Sequence, residues 1–178
     1  MSRRPPTLRT ERLILRPFSI DDASRVQQLA GANEVYATTL NIPHPYEDGI
    51  AEKWIATHTS QFFSDKGVTL AVTLAADGLL IGAIALGTLP QHRRAELGYW
   101  LGVPYWNNGY CTEAANAVIR YGFEELGLHK ITSRYITGNR ASEKVMMKAG
   151  MKKEGELADE VLKDGVFHTV GVYGLIKR

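Results

Sequence analysis

At 178 residues, 44% hydrophobic and 22% charged, the chain has the composition of one ordinary globular domain, long enough to bury a core without disulfides or a structural metal. Its 21 Lys and Arg against 19 Asp and Glu leave a net charge of +2, which argues against a dedicated nucleic-acid binder. The single cysteine, Cys111, excludes an intrachain disulfide and fits a reducing, cytoplasmic setting; the longest apolar run, Leu79 to Gly87, is far short of the ~20 residues that span a bilayer; and the first residues lack the apolar core of a signal peptide.

The N-terminal end is basic, with Arg3, Arg4, Arg9, Arg12 and Arg16 against one acid, Glu11. It reads as a solvated, loosely ordered leader over residues 1–9, with a weak anion-attracting arm as the alternative. Leu13-Ile14-Leu15 predicts a short strand ended by Pro17. Ser19-x-x-Asp22 resembles a capping box for a helix that Gly31 ends. Residues 41–47, with two prolines, read as a loop, and Asp48 is placed to cap a second helix with Ala51, Trp54, Ile55 and Phe62 on one face. Val68–Ala75 and Leu79–Leu86, around Ala76-Asp77-Gly78, predict a hairpin. Ala95–Leu101 predicts a strand, 110–126 a strongly amphipathic helix, 130–136 a strand, and 139–149 a helix with Gly150 beyond its end. The tail alternates as two strands around Asp164-Gly165. The order β-α-α-β-β-β-α-β-α-β-β predicts one α/β domain with a mixed sheet and helices on both faces, not a doubly wound parallel sheet.

The most informative stretch runs from Ala95 to Phe123. A strand enters a short polar turn, Trp106-Asn107-Asn108-Gly109-Tyr110-Cys111, and a helix follows at once. A helix N-terminus presents free N–H groups and partial positive charge, and Gly109 lets a ligand approach the backbone. Together they make an anion site suited to a phosphate or pyrophosphate, although a plain turn with Asn108 as N-cap would look the same. No GxxxxGK[ST] or GxGxxG is present. The five histidines lack metal-binding spacing and Cys111 has no second thiol, so no metal is expected.

These segments resemble a known family. Thr10-Glu11-Arg12-Leu13-Ile14-Leu15-Arg16 with Asp22-Ala23, the W-N-N-G-Y-C-T-E-A segment, and Asn139-x-x-Ser142 followed by Lys148-Ala149-Gly150-Met151 and Glu154-Gly155 resemble, in order, the RimJ/RimL-like branch of the GNAT acyl-CoA-dependent N-acyltransferases. The resemblance covers nearly the whole chain. It implies the GNAT fold, a mixed, mostly antiparallel sheet flanked by helices on both faces, and acetyl-CoA as the acetyl donor. It implies that the N–H groups of Asn107, Asn108, Gly109, Tyr110, Cys111 and Thr112 wrap the pyrophosphate. Pantetheine would lie where the family's fourth strand splays from its fifth, pairing with Tyr99, Trp100 and Leu101, and Asn139 would reach the cofactor. Cys111 departs from the usual small residue, and Met147 stands where many members carry an acid-donating Tyr.

In the implied reaction an amine attacks the thioester directly. Glu96 matches the family's carboxylate base, the alternative being an exposed strand residue paired with Arg93 or Arg94. Ser142 matches a serine placed near the sulfur, the alternative being first-turn helix chemistry beside Asn139 as N-cap. Cys111 as a nucleophile has no surrounding signature to support it. The aromatics Tyr99, Trp100, Tyr105, Trp106 and Tyr110 line an acceptor groove or serve as packing. The acceptor is an amine, a protein N-terminus or a small molecule, with Glu47, Asp48 and Glu52 the nearest acids a polyamine would want. Many relatives of this branch dimerise, which makes a homodimer one option and leaves the oligomeric state open. Competing readings are a non-catalytic acyl-CoA sensor and a nucleotide or phosphate binder using the same turn.

Overall fold

The computed structural model describes residues 4–178, so the first three residues of the expected leader, Arg3 among them, lie outside the described residues. Leu8–Arg9 form a short strand, β1, within that leader, paired antiparallel with β2 (Leu13–Pro17). In β2, Leu13 and Leu15 are fully buried while Ile14 and Arg16 are half-buried, the alternation of a strand with one face on the core. The Ser19/Asp22 capping box forms on a short 3-10 turn that opens into α1 (Ala23–Ala30). Arg16 holds Asp22 by two bonds of 2.8 Å, so this arginine is structural and not part of a free basic arm.

A short helix, α2 (Asn33–Thr38), follows where the sequence predicted none; its only buried residue is Val35, too little for a helical period to show. The next helix, α3, runs Ile50–Phe63 and buries Ala51, Ile55, His58 and Phe62. Asp48 does not cap it. Gly49 occupies the N-cap in the left-handed region at φ 82°, and the Asp48 carboxylate instead accepts from the Gln27 amide at 2.7 Å.

The rest follows the predicted order: the hairpin β3 (Gly67–Leu74) and β4 (Leu80–Leu89), then β5 (Arg94–Leu101), α4 (Tyr110–Glu124), β6 (Lys130–Ile136), α5 (Arg140–Lys148), β7 (Lys152–Lys163) and β8 (Val166–Ile176). One eight-stranded sheet has the order β1-β2-β3-β4-β5-β6-β8-β7. Every neighbouring pair is antiparallel except β5 and β6. The crossover helix α4 makes that parallel pairing geometrically available.

Successive residues of a strand face opposite sides, and the core divides accordingly. Leu70, Val72, Leu86 and Leu97 pack with the Ala114, Ala115, Val118 stripe of α4 and Met146 of α5. Ala71 and Leu80 pack with Val26, Leu29 and Ile55 of α1 and α3. Among the described residues no helix is long and apolar enough to cross a membrane.

Candidate active site

The parallel ladder between β5 and β6 runs only from Arg94↔Lys130 to Leu97↔Ser133. Beyond it the two strands part, and β5 from Gly98 to Leu101, paired with β4 on its other side, has no strand among the described residues on the side towards β6. Two clefts open at this fork.

The first, about 340 Å³, lies on the α4 side. Tyr99, Trp100, Leu101, Asn107, Gly109, Tyr110, Cys111, Thr112 and Asn139 all line it, together with Ser142. Of the residues expected to bind the cofactor, Asn108 alone is absent from the lining. Its side chain donates to the Trp106 carbonyl at 2.9 Å, and its own carbonyl is held by Arg12. The turn has the geometry an anion needs: Asn107 (φ 61°) and Gly109 (φ 78°) are left-handed, and no side chain caps α4. The N–H groups of its first turn are therefore available to a ligand.

Asn139 is the N-cap of α5, its Oδ1 accepting from the Ser142 N–H at 3.1 Å, while its Nδ2 donates to the Thr38 carbonyl at 3.1 Å. That second bond ties α2 to α5 across the cleft mouth. Thr38 and Thr39 thereby line the cleft too, as do Lys144 and Lys148 of α5; sequence reasoning assigned none of these four. The lysines stand four apart on one helix face, which is the signal that was available for them.

The second cleft, about 400 Å³, opens on the α1/α3 side. Its floor is small, with Gly98, Ala83, Ala85 and Thr69, and Tyr46, Trp54 and Trp100 wall it. Glu96 is on this cleft, exposed, and its partner is Arg134 (Nε to Oε2, 3.6 Å), not Arg93 or Arg94. Arg93 is occupied with the Gly127 carbonyl. Arg134 also reaches Glu160 at 3.3 Å.

The clefts share Thr38, Thr39, Tyr99, Trp100 and Ser142, so they meet at one pair of hydroxyls. The Tyr99 hydroxyl lies 2.8 Å from Ser142 Oγ and donates to the Ser142 carbonyl at 3.1 Å. Burial, with Cys111 close by, pushes the Tyr99 phenol well above its ordinary value, so it keeps its proton at neutral pH. Burial also pushes the Cys111 thiol up to about 12. A raised thiol argues against Cys111 as a nucleophile. Met147 is exposed and lines neither cleft. The five aromatics weighed for an acceptor groove all line the first cleft, and only Tyr99 and Trp100 reach the second. No group of three or more His, Cys, Asp or Glu placed to hold a metal occurs among the described residues.

A splayed pair of strands, an uncapped helix N-terminus and two clefts meeting between them make a site for an anionic ligand on one side of the sheet and a second molecule on the other. The profile described as an acetyltransferase (GNAT) domain matches residues 12–152, and the chain belongs to that family. The N-acetyltransferase YoaA of Bacillus subtilis is 33% identical over 175 residues, covering 97% of each chain. YdaF of the same organism, provisionally named a ribosomal N-acetyltransferase, is 30% identical over 176 residues, covering 94% of this chain and 93% of its own. In fold the chain is similar to RimL, a ribosomal L7/L12 α-N-protein acetyltransferase solved with coenzyme A: the TM-score is 0.88 at 15% identity, over 96% of this chain and 98% of that one. The protein is an acetyl-CoA-dependent N-acetyltransferase of the GNAT type.

Proposed function

We propose that the protein acetylates the α-amine of a polypeptide N-terminus in the cytoplasm, with acetyl-CoA in the α4-side cleft and the acceptor in the α1/α3-side cleft. The observation that carries this is the meeting of the two clefts at Tyr99 and Ser142, with one carboxylate, Glu96, on the acceptor side. A polyamine is multiply charged and would need several acids; this cleft offers Glu96 alone, already beside Arg134. An α-amine carries one charge and has a pKa of about 7.7–8.0, so it needs little help to lose its proton.

In the proposed chemistry the amine nitrogen attacks the thioester carbonyl. The C–N bond forms, the C–S bond breaks, and Glu96 takes the amine proton directly or through a water. The leaving thiolate accepts a proton from Ser142 Oγ, which the Tyr99 hydroxyl holds in place, and solvent returns the proton to the serine. The backbone N–H groups of Asn107 and of Gly109 to Thr112 hold the pyrophosphate, and Tyr99, Trp100 and Leu101 on the edge of β5 towards β6 pair with pantetheine.

The test is mass spectrometry of peptides with free α-amines, peptides with blocked N-termini and an internal Lys, and spermidine, each incubated with acetyl-CoA. Acetyl groups on free α-amines are expected; turnover confined to spermidine or to Lys side chains would overturn the acceptor. Glu96→Gln is expected to bind acetyl-CoA as the native protein does and to lose about 10²–10⁴-fold in kcat/KM. Full activity in that variant would remove Glu96 as the base. An enzyme that binds acetyl-CoA and acetylates no amine would be the sensor module.

A further inference from the structure

Two short stretches take no part in the chemistry above, yet they meet in space. Thr10 and Arg12 lead into β2, and Glu113 lies in the first turn of α4, 101 residues beyond Arg12. The Glu113 carboxylate accepts from Arg12 Nε at 2.7 Å, from the Arg12 backbone N–H at 2.8 Å and from Thr10 Oγ1 at 2.6 Å. Arg12 Nη2 completes the ion pair at 2.7 Å. Partial burial works to raise the Glu113 carboxyl, but the bonds from Thr10 and Arg12 win and hold it below the ordinary range, so the brace is ionised at neutral pH.

A guanidinium fixed at Nε and Nη2 is a rigid planar fork, and its remaining nitrogen has little choice of direction. Nη1 donates to the Asn108 carbonyl at 3.0 Å, and the fork lies over the Tyr110 ring, 4.6 Å from its centroid. The carbonyl and N–H of a trans peptide point opposite ways. Pinning the Asn108 carbonyl to Arg12 therefore aims the Gly109 N–H away from the brace. Gly109 lines the α4-side cleft, whereas Arg12 does not. All three guanidinium nitrogens of Arg12 are engaged by protein oxygens.

We infer that Arg12, anchored by Glu113, is a positioning residue for donor binding: it fixes the Asn108–Gly109 peptide plane so that the N–H groups of the turn meet the pyrophosphate of acetyl-CoA. The inference rests on the reading of this turn as the pyrophosphate site. It makes the T-E-R and T-E-A segments the two halves of one clamp.

The test compares binding of acetyl-CoA with binding of S-acetylpantetheine, which lacks the pyrophosphate, by calorimetry on the full chain. Arg12→Met is expected to raise the Kd for acetyl-CoA about tenfold or more, the scale of lost bonds between charged groups, and to leave that for S-acetylpantetheine within about twofold. Arg12→Lys is expected to behave like Arg12→Met, because a single ammonium cannot serve Glu113 and Asn108 with one planar fork. Glu113→Gln is expected to weaken acetyl-CoA in the same direction, since the anchor goes with the charge. Equal weakening of both donors, or no change for acetyl-CoA, would overturn the inference. Tighter acetyl-CoA binding in Glu113→Gln would overturn it too, by making Arg12 a direct phosphate ligand. Native protein that bound both donors alike would overturn the reading of the turn and the inference together.

Discussion

His58 sits on the buried face of α3, 9% exposed, against the rings of Trp54 (4.4 Å) and Phe18 (5.3 Å). Neither ring nitrogen has a hydrogen-bond partner among the described residues, and burial pulls its pKa down to about 4 from 6.5. The folded protein therefore binds this proton less readily than the unfolded chain. Above pH 6.5 both forms are neutral and the group does nothing. As pH falls from 6.5 towards 4 the unfolded chain takes up the proton first, and stability is lost across that window. Between pH 7 and pH 5 the loss is about 1–2 kcal/mol from this residue. Urea unfolding at the two pH values should show a fall in the native protein that His58→Leu reduces by that amount; equal falls in both proteins would mean that the imidazole finds a partner in solution. Residue by residue, the contiguous part of the site was open to sequence reading. Asn107 to Thr112 lie in one run, and a turn before an amphipathic helix has a local signature. Asn139 as a cap was equally local, because its bond to Ser142 spans three residues. Arg12 with Glu113 and Tyr99 with Ser142 are 101 and 43 residues apart, and no local pattern reports such meetings.

Among the elements, α4 does most to place the candidate site, since its N-terminus opens on the α4-side cleft while its body fixes it to the sheet. Its buried stripe, Ala114, Ala115, Ala117, Val118, Ile119 and Gly122, is mostly small, which lets the helix approach β4, β5 and β6 closely. Gly122 is a tight point. A Cβ there would stand 3.0–3.1 Å from the terminal methyls of Ile131, Leu128 and Leu86. Gly122→Val adds three carbons to a closed space and is expected to cost about 1–3 kcal/mol through overpacking, despite valine's better helix propensity. Urea denaturation would show the midpoint fall with the slope unchanged; a variant as stable as the native protein would mean that the helix shifts freely on the sheet. The stripe of α4 was legible because fifteen residues give the helical period room to repeat. The six residues of α2 do not, and Gly49 took the cap that Asp48 seemed placed for because the chain enters α3 in a left-handed conformation.

Over the whole molecule, one end of the sheet and helix α2 meet at the α1/α3-side cleft, proposed above for the acceptor, in a way visible only once the strand order is known. The chain's last hairpin, β7–β8, is an edge of the sheet, yet its tip reaches α2. Lys163 Nζ donates to the carbonyls of Tyr36 and Thr39, the latter at 2.7 Å, and lies 3.9 Å over the Tyr36 ring. A cation on the last carbonyls of a helix is favourably placed. Asp164 accepts from the Tyr36 hydroxyl. This tip holds the segment from Thr38 to Pro43, which walls the α1/α3-side cleft, while Asn139 on the α4 side bonds the Thr38 carbonyl of the same segment. Because the two ties are independent, removing one should loosen one cleft more than the other. Lys163→Met keeps the length of the stem and removes both carbonyl bonds and the ring contact. Hydrogen bonds from a charged group are worth about 1.5–3 kcal/mol each, discounted here by exposure and by water's ability to replace the donor. The expected result is a rise of about three- to tenfold in KM for an N-terminal peptide, with the Kd for acetyl-CoA within about twofold of the native value. Steady-state kinetics over both substrates separate the two effects. A parallel rise in both constants would mean that α2 moves as one piece with α5, and an unchanged peptide KM would mean that the segment is held by its own packing, with the hairpin resting on it.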